Sequence, residues 1–231
     1  MDYTKLNIVT LIQSDRETAS HYHFAVGRMW RLIGIQNNLH VPLSYAAFEF
    51  RLSIERYLFE YFYLIRHRRG FSKSEERECS SIARLIKAIY QHEGGKARFL
   101  KRLRFNLICI QSEAKFVNNE RDFPNGLPIE ISLDYLHKLW IKLSEFCHRQ
   151  LEPNETWKSK GERWVKNGYD ILIEAEEHLT LLFRTNSHCW LSIDGMKEQY
   201  KTLNDEFCAS SITEEEMKSR LLALSKKYNT K

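Results

Sequence analysis

The sequence predicts an all-α protein, a multi-helix bundle of about six core helices followed by a C-terminal helical hairpin or docking arm. Apolar residues recur at the three- and four-residue spacing of a helix through most of the 231 residues. Only 9 glycines and 4 prolines are present, which is too few for a loop-rich or all-β protein. Hydrophobic residues make up 43% of the chain, enough to fill a substantial core.

Capping residues and helix breakers indicate where the helices begin and end. Serine or aspartate before an apolar run favours a helix start, and glycine or proline after the run favours an end. Pro42 suits the first turn of the second helix, and Gly70 ends it. The predicted core helices cover approximately residues 14–37, 42–68, 72–92, 96–117, 132–150 and 160–183.

The regions after the fourth helix and after the sixth suggest the domain organisation. Residues 118–130 contain two prolines and an Asn-Gly pair and are predicted to form a long loop or domain joint. Residues 1–190 are assigned to the helical bundle domain, and residues 191–231 to a C-terminal helical appendage. Two narrow apolar stripes in this appendage predict a surface that binds a partner protein. Its residues are Met196, Tyr200, Leu203, Phe207, Met217, Leu221, Leu224 and Tyr228.

The second helix is apolar around most of its circumference, which is typical of a helix at the centre of a bundle. Two charged residues, Arg51 and Glu55, nevertheless lie between its two apolar stripes. They are four residues apart, so their side chains can meet, whereas either charge buried alone would be costly. We therefore expect a buried structural ion pair. The alternative is a polar site deep in the bundle.

Composition favours a soluble cytoplasmic protein. The formal net charge is +5 with residues of both signs, which permits nucleic-acid binding without requiring it. The five cysteines are widely spaced without a Cys-x-x-Cys motif, as expected for reduced thiols in the cytosol. Neither a signal peptide nor a membrane-spanning segment is expected.

The familiar motifs for cofactor and metal binding are missing from the sequence. It contains no P-loop, dinucleotide-binding glycine pattern, nucleophile elbow or kinase motif, which argues against most nucleotide-driven enzymes. His21 with His23, and His188 with Cys189, come closest to metal-ligand pairs, but neither matches a recognised spacing. No metal and no cofactor are predicted.

The helix predicted at 132–150 carries His137, Ser144 and His148 along the border of its apolar face. Ser144 lies within side-chain reach of His148, but a nucleophile also needs its base oriented by a third group. Nothing in the sequence supplies that group. Two interpretations stay open: histidines that pack at the edge of the core, or a polar edge that faces a cleft.

Two segments carry a family resemblance. Phe-Arg-Leu-Ser-Ile-Glu-Arg at 50–56, followed by Leu-Ser-Glu-Phe-Cys-His at 143–148, resembles bacterial HEPN-like helical proteins. That family is rich in abortive-infection, toxin and antiviral-defence components, and its active members are metal-independent ribonucleases with an Arg-x4–6-His motif. At the matching separation before His148 this chain has Lys142. The two residues are about 120° apart on a regular helix, so both would not reach one phosphate.

True matches to the family's motif lie near the N-terminus, where Arg16 precedes both His21 and His23. Arg16 and His23 are seven residues apart and share a helix face. His23 could then act as acid or base while Arg16 holds a phosphate. The candidate catalytic residues are Arg16, His23 and His148, the last acting with a distant cation.

Basic residues on two helices suggest nucleic acid as a second ligand. Basic clusters with an aromatic residue can bind phosphates and stack on a base. The alternative is a pair of solvated helix faces balanced by acids elsewhere in the chain. The candidate residues are Arg66, Arg68, Arg69, Arg98, Lys101, Arg102 and Phe105.

Two functions follow as hypotheses from these residues and the resemblance. The first is a non-catalytic helical accessory subunit of a bacterial antiviral-defence or toxin–antitoxin-type complex, which binds partner proteins and has nucleic acid as a further candidate partner. The alternative is a HEPN-like metal-independent ribonuclease that acts as a toxin or effector.

Overall fold

The computed structural model describes residues 19–37, 40–66, 72–118, 132–147, 157–186 and 196–229. Within these ranges the chain forms nine α-helices and no strand, which confirms the predicted all-α multi-helix bundle. No helix of these ranges combines the length and the hydropathy needed to cross a membrane. The helices are α1 (Ala19–Asn37), α2 (His40–Ile65), α3 (Lys73–Glu78), α4 (Ile82–His92), α5 (Lys96–Asn118), α6 (Leu133–Cys147), α7 (Trp157–Asn186), α8 (Met196–Cys208) and α9 (Glu214–Asn229).

The single helix predicted at 72–92 is wrong, because a turn at residues 79–81 divides it into α3 and α4. The hydroxyl of Ser81 accepts the backbone N–H of Arg84 at 3.3 Å and so caps the start of α4. The hydroxyl of Ser80 donates to the carbonyl of Arg77 at 2.6 Å. Serine side chains that bond to nearby backbone compete with continuous helix, and two adjacent serines favour the break.

The chain divides into two compact units, each built from two stretches of sequence. Unit 1 comprises Met1–Ile89 and Ser132–Leu179, and unit 2 comprises Tyr90–Ile131 and Thr180–Lys231. Helices α4 and α7 each continue from one unit into the other. The predicted domain boundary at residue 190 lies outside the described residues, as does most of the predicted joint at 118–130.

The core of unit 1 forms where α2 packs against α1 and α6. One predicted apolar stripe of α2, including Phe50, Ile54 and Leu58, is fully buried. Gly27 lets α1 approach this stripe closely, because a Cβ at that position would lie 2.8 Å from the Phe50 ring. The close approach therefore depends on glycine, and this packing determines which faces of α1 and α2 stay exposed.

A buried carboxylate determines how α1 begins. Glu60 of α2 is only 6% exposed. Its side chain accepts the backbone N–H of Ser20 at 3.1 Å, and also the hydroxyl of Ser20. The hydroxyl of Ser53 donates to the Ser20 carbonyl at 2.8 Å. A negative charge at a helix N-terminus is favourable, so Glu60 acts as a cap supplied by the neighbouring helix.

The core of unit 2 joins α5 to the two C-terminal helices. Side chains from one face of α5 meet the apolar stripes of α8 and α9 in a single cluster. The tail helices thus pack onto α5 within their own unit. The buried members are Phe105, Ile108, Cys109, Leu203, Phe207, Met217 and Leu221.

Candidate binding surfaces and catalytic residues

Arg51 and Glu55 form the expected pair and are joined by a third residue, Trp140 of α6. The Nε of Arg51 donates to Glu55 Oε1 at 3.2 Å, and the indole N–H of Trp140 donates to the same oxygen at 2.8 Å. The Arg51 guanidinium lies 4.4 Å from the centre of the Trp140 ring, in cation–π geometry. The side chains of Arg51 and Glu55 are 23% and 35% exposed, so the pair is half-buried where a buried one was expected.

His23 of α1 is held by a residue that the sequence did not single out. Its Nδ1 lies 2.6 Å from Glu49 Oε2, and both side chains are mostly buried. A carboxylate on Nδ1 fixes the ring and leaves Nε2 as the atom for proton transfer. Glu49 is on a different helix from His23, and only the packing of α1 on α2 brings the two together. The other two candidates, Arg16 and His148, lie outside the described residues.

Within the described part of α6, which ends at Cys147, the predicted polar edge assembles no nucleophile. The hydroxyl of Ser144 donates to the carbonyl of Trp140 at 2.7 Å, within its own helix. Cys147 also bonds within α6, at 3.3 Å to the Leu143 carbonyl. Burial raises the pKa of the Cys147 thiol, so that thiol is protonated at neutral pH. Neither residue therefore has the activated form that covalent catalysis requires.

The basic residues predicted to bind nucleic acid on α5 are engaged within unit 2. Arg102 pairs with Glu93 at 2.6 Å, and Arg98 lies 3.9 Å from Asp205. Lys101 bonds to the Ser210 hydroxyl and lies 5.8 Å from the centre of the Phe207 ring.

The aromatic residue assigned to that nucleic-acid surface is buried as well. Phe105 is only 3% exposed because α8 covers it, which corrects the prediction that its ring stacks on a base. In unit 1, Arg66 pairs with Glu75. Arg68 and Arg69 lie outside the described residues.

The stripes predicted to bind a partner from the C-terminal appendage also face inward. Leu203, Phe207, Met217 and Leu221 are buried against α5, because α5 has a second apolar face that covers them. Tyr200 and Leu224 pack against the same cluster. Instead of forming a free docking arm, these residues complete the core of unit 2. The side chains of Met196 and Tyr228 lie outside what the structure describes.

A different surface exposes large apolar side chains, on α1 and the first half of α2. Seven of them are between 43% and 54% exposed. Trp30 and Tyr45 stack with their ring centres 5.0 Å apart, linking the two helices at this face. We call it the α1–α2 apolar surface. Its members are Tyr22, Met29, Leu32, Ile33, Val41, Tyr45 and Phe48.

The basic residues of α1 are matched by acids of unit 1. Helix α1 contains Arg28, Arg31, His21 and His23 but no acidic residue. Both arginines pair with Glu176 of α7, at 2.8 and 2.6 Å, and burial lowers the pKa of His21. On the adjacent part of α2, from His40 to Phe50, the only acid is Glu49, which His23 holds. Phe48 belongs to one of the two apolar stripes of the second helix, which was expected to lie at the centre of the bundle. Periodicity indicates which side chains can be buried, but it does not say whether a neighbouring helix covers them.

The described residues define the class of protein: an all-α helical protein with a broad exposed apolar surface. Among these residues there is no assembled nucleophile, and no group of three His, Cys, Asp or Glu side chains that could hold a metal ion. Comparison with protein-family models, with curated proteins and with solved structures found no match.

Proposed function

We propose that this chain is a non-catalytic helical subunit that binds a partner protein through the α1–α2 apolar surface. The complex it joins would be a bacterial antiviral-defence or toxin–antitoxin-type assembly, as the resemblance to HEPN-like proteins implies. The observation that carries the proposal is the exposure of seven large apolar side chains on two adjacent helices. Large exposed apolar surfaces usually mark interaction sites.

The chemistry of the surface also defines the partner. Covering each half-exposed side chain contributes about 1 kcal/mol, so seven of them can support a stable complex. The arginines of α1 do not add a strong charge to the surface, because Arg28 and Arg31 both pair with Glu176 of α7. A partner that fits would present apolar side chains. Nucleic acid fits less well, because the basic side chains of α5 already face acids or hydroxyls of unit 2.

The proposal is tested by co-expressing the tagged chain with the products of its neighbouring genes. The variant Met29→Glu with Phe48→Glu places two charges in the surface, and it should fold normally but lose the partner. Ile141→Glu is the matched control, since Ile141 is 48% exposed on α6. Retention of the partner by the double variant, or formation only of homodimers by the wild type, would contradict the proposal.

The ribonuclease remains a second candidate because of one observation, the contact between His23 and Glu49. A histidine oriented by a carboxylate can serve as a general acid or base. Toxicity and RNA integrity in cells that express Arg16→Gln, His23→Gln, Glu49→Gln or His148→Gln would test it. Wild-type RNA cleavage that is lost in His23→Gln and reduced in Glu49→Gln would favour the enzyme, whereas intact RNA with the wild type would exclude it.

A further inference from the structure

A second feature of unit 1, independent of the α1–α2 apolar surface, is a cavity of about 490 Å³. Residues of α2, of the turn between α3 and α4, of α4 and of α6 line it. This volume lies in the range that holds small organic ligands. The Arg51–Glu55–Trp140 contact stands at its edge, since Glu55 and Trp140 both contribute to the lining.

The charges around the cavity favour an anion. Arg56 lines it and makes no ion pair with any residue that the structure describes. Glu55, which also lines it, is already bound by Arg51 and by the indole N–H of Trp140. The carboxylate is therefore neutralised from within the protein, whereas the Arg56 guanidinium has no counterion among the described residues. A cation of this kind beside a half-open cavity is a ready partner for a carboxylate or phosphate group.

Other groups on the walls add donors and an apolar face. His137 lines the cavity with no hydrogen bond from its ring to a described residue. The start of α4, at Ser81 and Ile82, also lies on the wall, where the first backbone N–H groups of a helix attract negative charge. Phe59 supplies an apolar wall. The lining thus combines donors for an anionic group with a surface for an apolar body.

We propose that this cavity binds a small organic anion, with its carboxylate or phosphate held by Arg56 and the start of α4, and its apolar body against Phe59. The site does not depend on the partner-binding role proposed above. The ligand's charged group is the principal determinant of its affinity, because the cavity offers it a cation that pairs with no described acid. Phosphate should bind more tightly than carboxylate, since it accepts more hydrogen bonds from the same donors.

Calorimetric titration of the full chain with phenyl phosphate, benzoate and uncharged benzyl alcohol tests this proposal. Both anions should bind, phenyl phosphate more tightly, and benzyl alcohol should not. Arg56→Gln should weaken both anions by about tenfold, whereas Arg163→Gln on an exposed position of α7 should leave them unchanged. Equal binding of the uncharged compound, or undiminished binding to Arg56→Gln, would overturn the proposal.

A second variant tests the location of the site without altering charge. Ala83 is exposed to solvent and also lines the cavity, so Ala83→Phe fills space there with no loss of core packing. This variant should fold like the wild type and lose phenyl phosphate binding. Unchanged binding to folded Ala83→Phe would show that the anion binds elsewhere and would refute the assignment.

Discussion

The side chain of Glu60 accepts the backbone N–H of Ser20 at 3.1 Å, so a buried acid on α2 caps the first turn of α1. Helix caps usually come from the residue just before the helix. Here the cap comes from 40 residues further along the chain. Formation of this helix end is thus coupled to the packing of α1 on α2.

Replacing Glu60 should destabilise unit 1 strongly. Glu60→Ala removes the acceptor for Ser20 and leaves buried donors without partners, which costs about 1–3 kcal/mol. The free energy of unfolding from urea denaturation measures the loss. Glu162→Ala, at an exposed position of α7, is the control and should change stability by less than about 0.5 kcal/mol. Equal stability of the two variants would show that the buried cap contributes nothing.

Because α1 packs closely on α2, replacing Gly27 by alanine should have an unusual effect on stability. Gly-to-Ala substitution inside a helix normally stabilises by about 1 kcal/mol. At Gly27 the new Cβ would lie 2.8 Å from the Phe50 ring, so Gly27→Ala should instead destabilise by about 1–3 kcal/mol. Ala25→Gly, at an exposed position of the same helix, is the control that measures helix propensity alone. A rise in melting temperature for Gly27→Ala would mean that the helices are not in this close contact.

The apolar stripes of α8 and α9 could be part of a core or a docking face, and one substitution distinguishes the two. Phe207 is buried in the unit 2 cluster, so Phe207→Ala should cost about 3–5 kcal/mol of unfolding free energy. Lys201→Ala, on the exposed face of the same helix, should cost little. Urea denaturation of the isolated chain is the measurement. If Phe207→Ala unfolds like the wild type, the stripe is free and serves a partner after all.

Stability of unit 2 should depend on pH through Glu93. Burial raises the pKa of Glu93 to about 7 and outweighs the nearby charge of Arg98. Arg102, 2.6 Å from the carboxylate, also favours its ionised form. Between the ordinary value of 4.5 and about 7 the folded state holds a proton that the unfolded state has released. Stability therefore falls as pH rises through this window and levels off above it.

The variant Glu93→Gln isolates this effect. It should lose the pH dependence and exceed the wild type in stability at pH 8 by about 1–2 kcal/mol, after allowance for solvent screening of a partly buried group. Glu216→Gln, exposed on α9, should retain the wild-type profile. A destabilised Glu93→Gln at pH 8 would indicate instead that the ion pair between Glu93 and Arg102 dominates.

The predicted and observed structures differ where tertiary packing decides the outcome. Helical periodicity identified the buried stripe of α2, because Phe50 and Ile54 repeat at helical spacing and do pack inward. It could not identify Phe105, which belongs to a second apolar face of α5 that is buried only when α8 packs on it. The contact between His23 and Glu49 likewise joins residues 26 positions apart. Spacing within one helix cannot reveal such a contact.

Each unit is built from two separate segments of the chain, and this has a practical consequence. A break in the chain between α5 and α6 would yield two pieces, each with part of unit 1 and part of unit 2. Neither piece could bury its apolar faces alone, since α6 would be separated from α2, and Phe207 from Phe105. The protein is thus suited to fragment complementation, in which two severed halves regain their fold only when attached proteins bring them together.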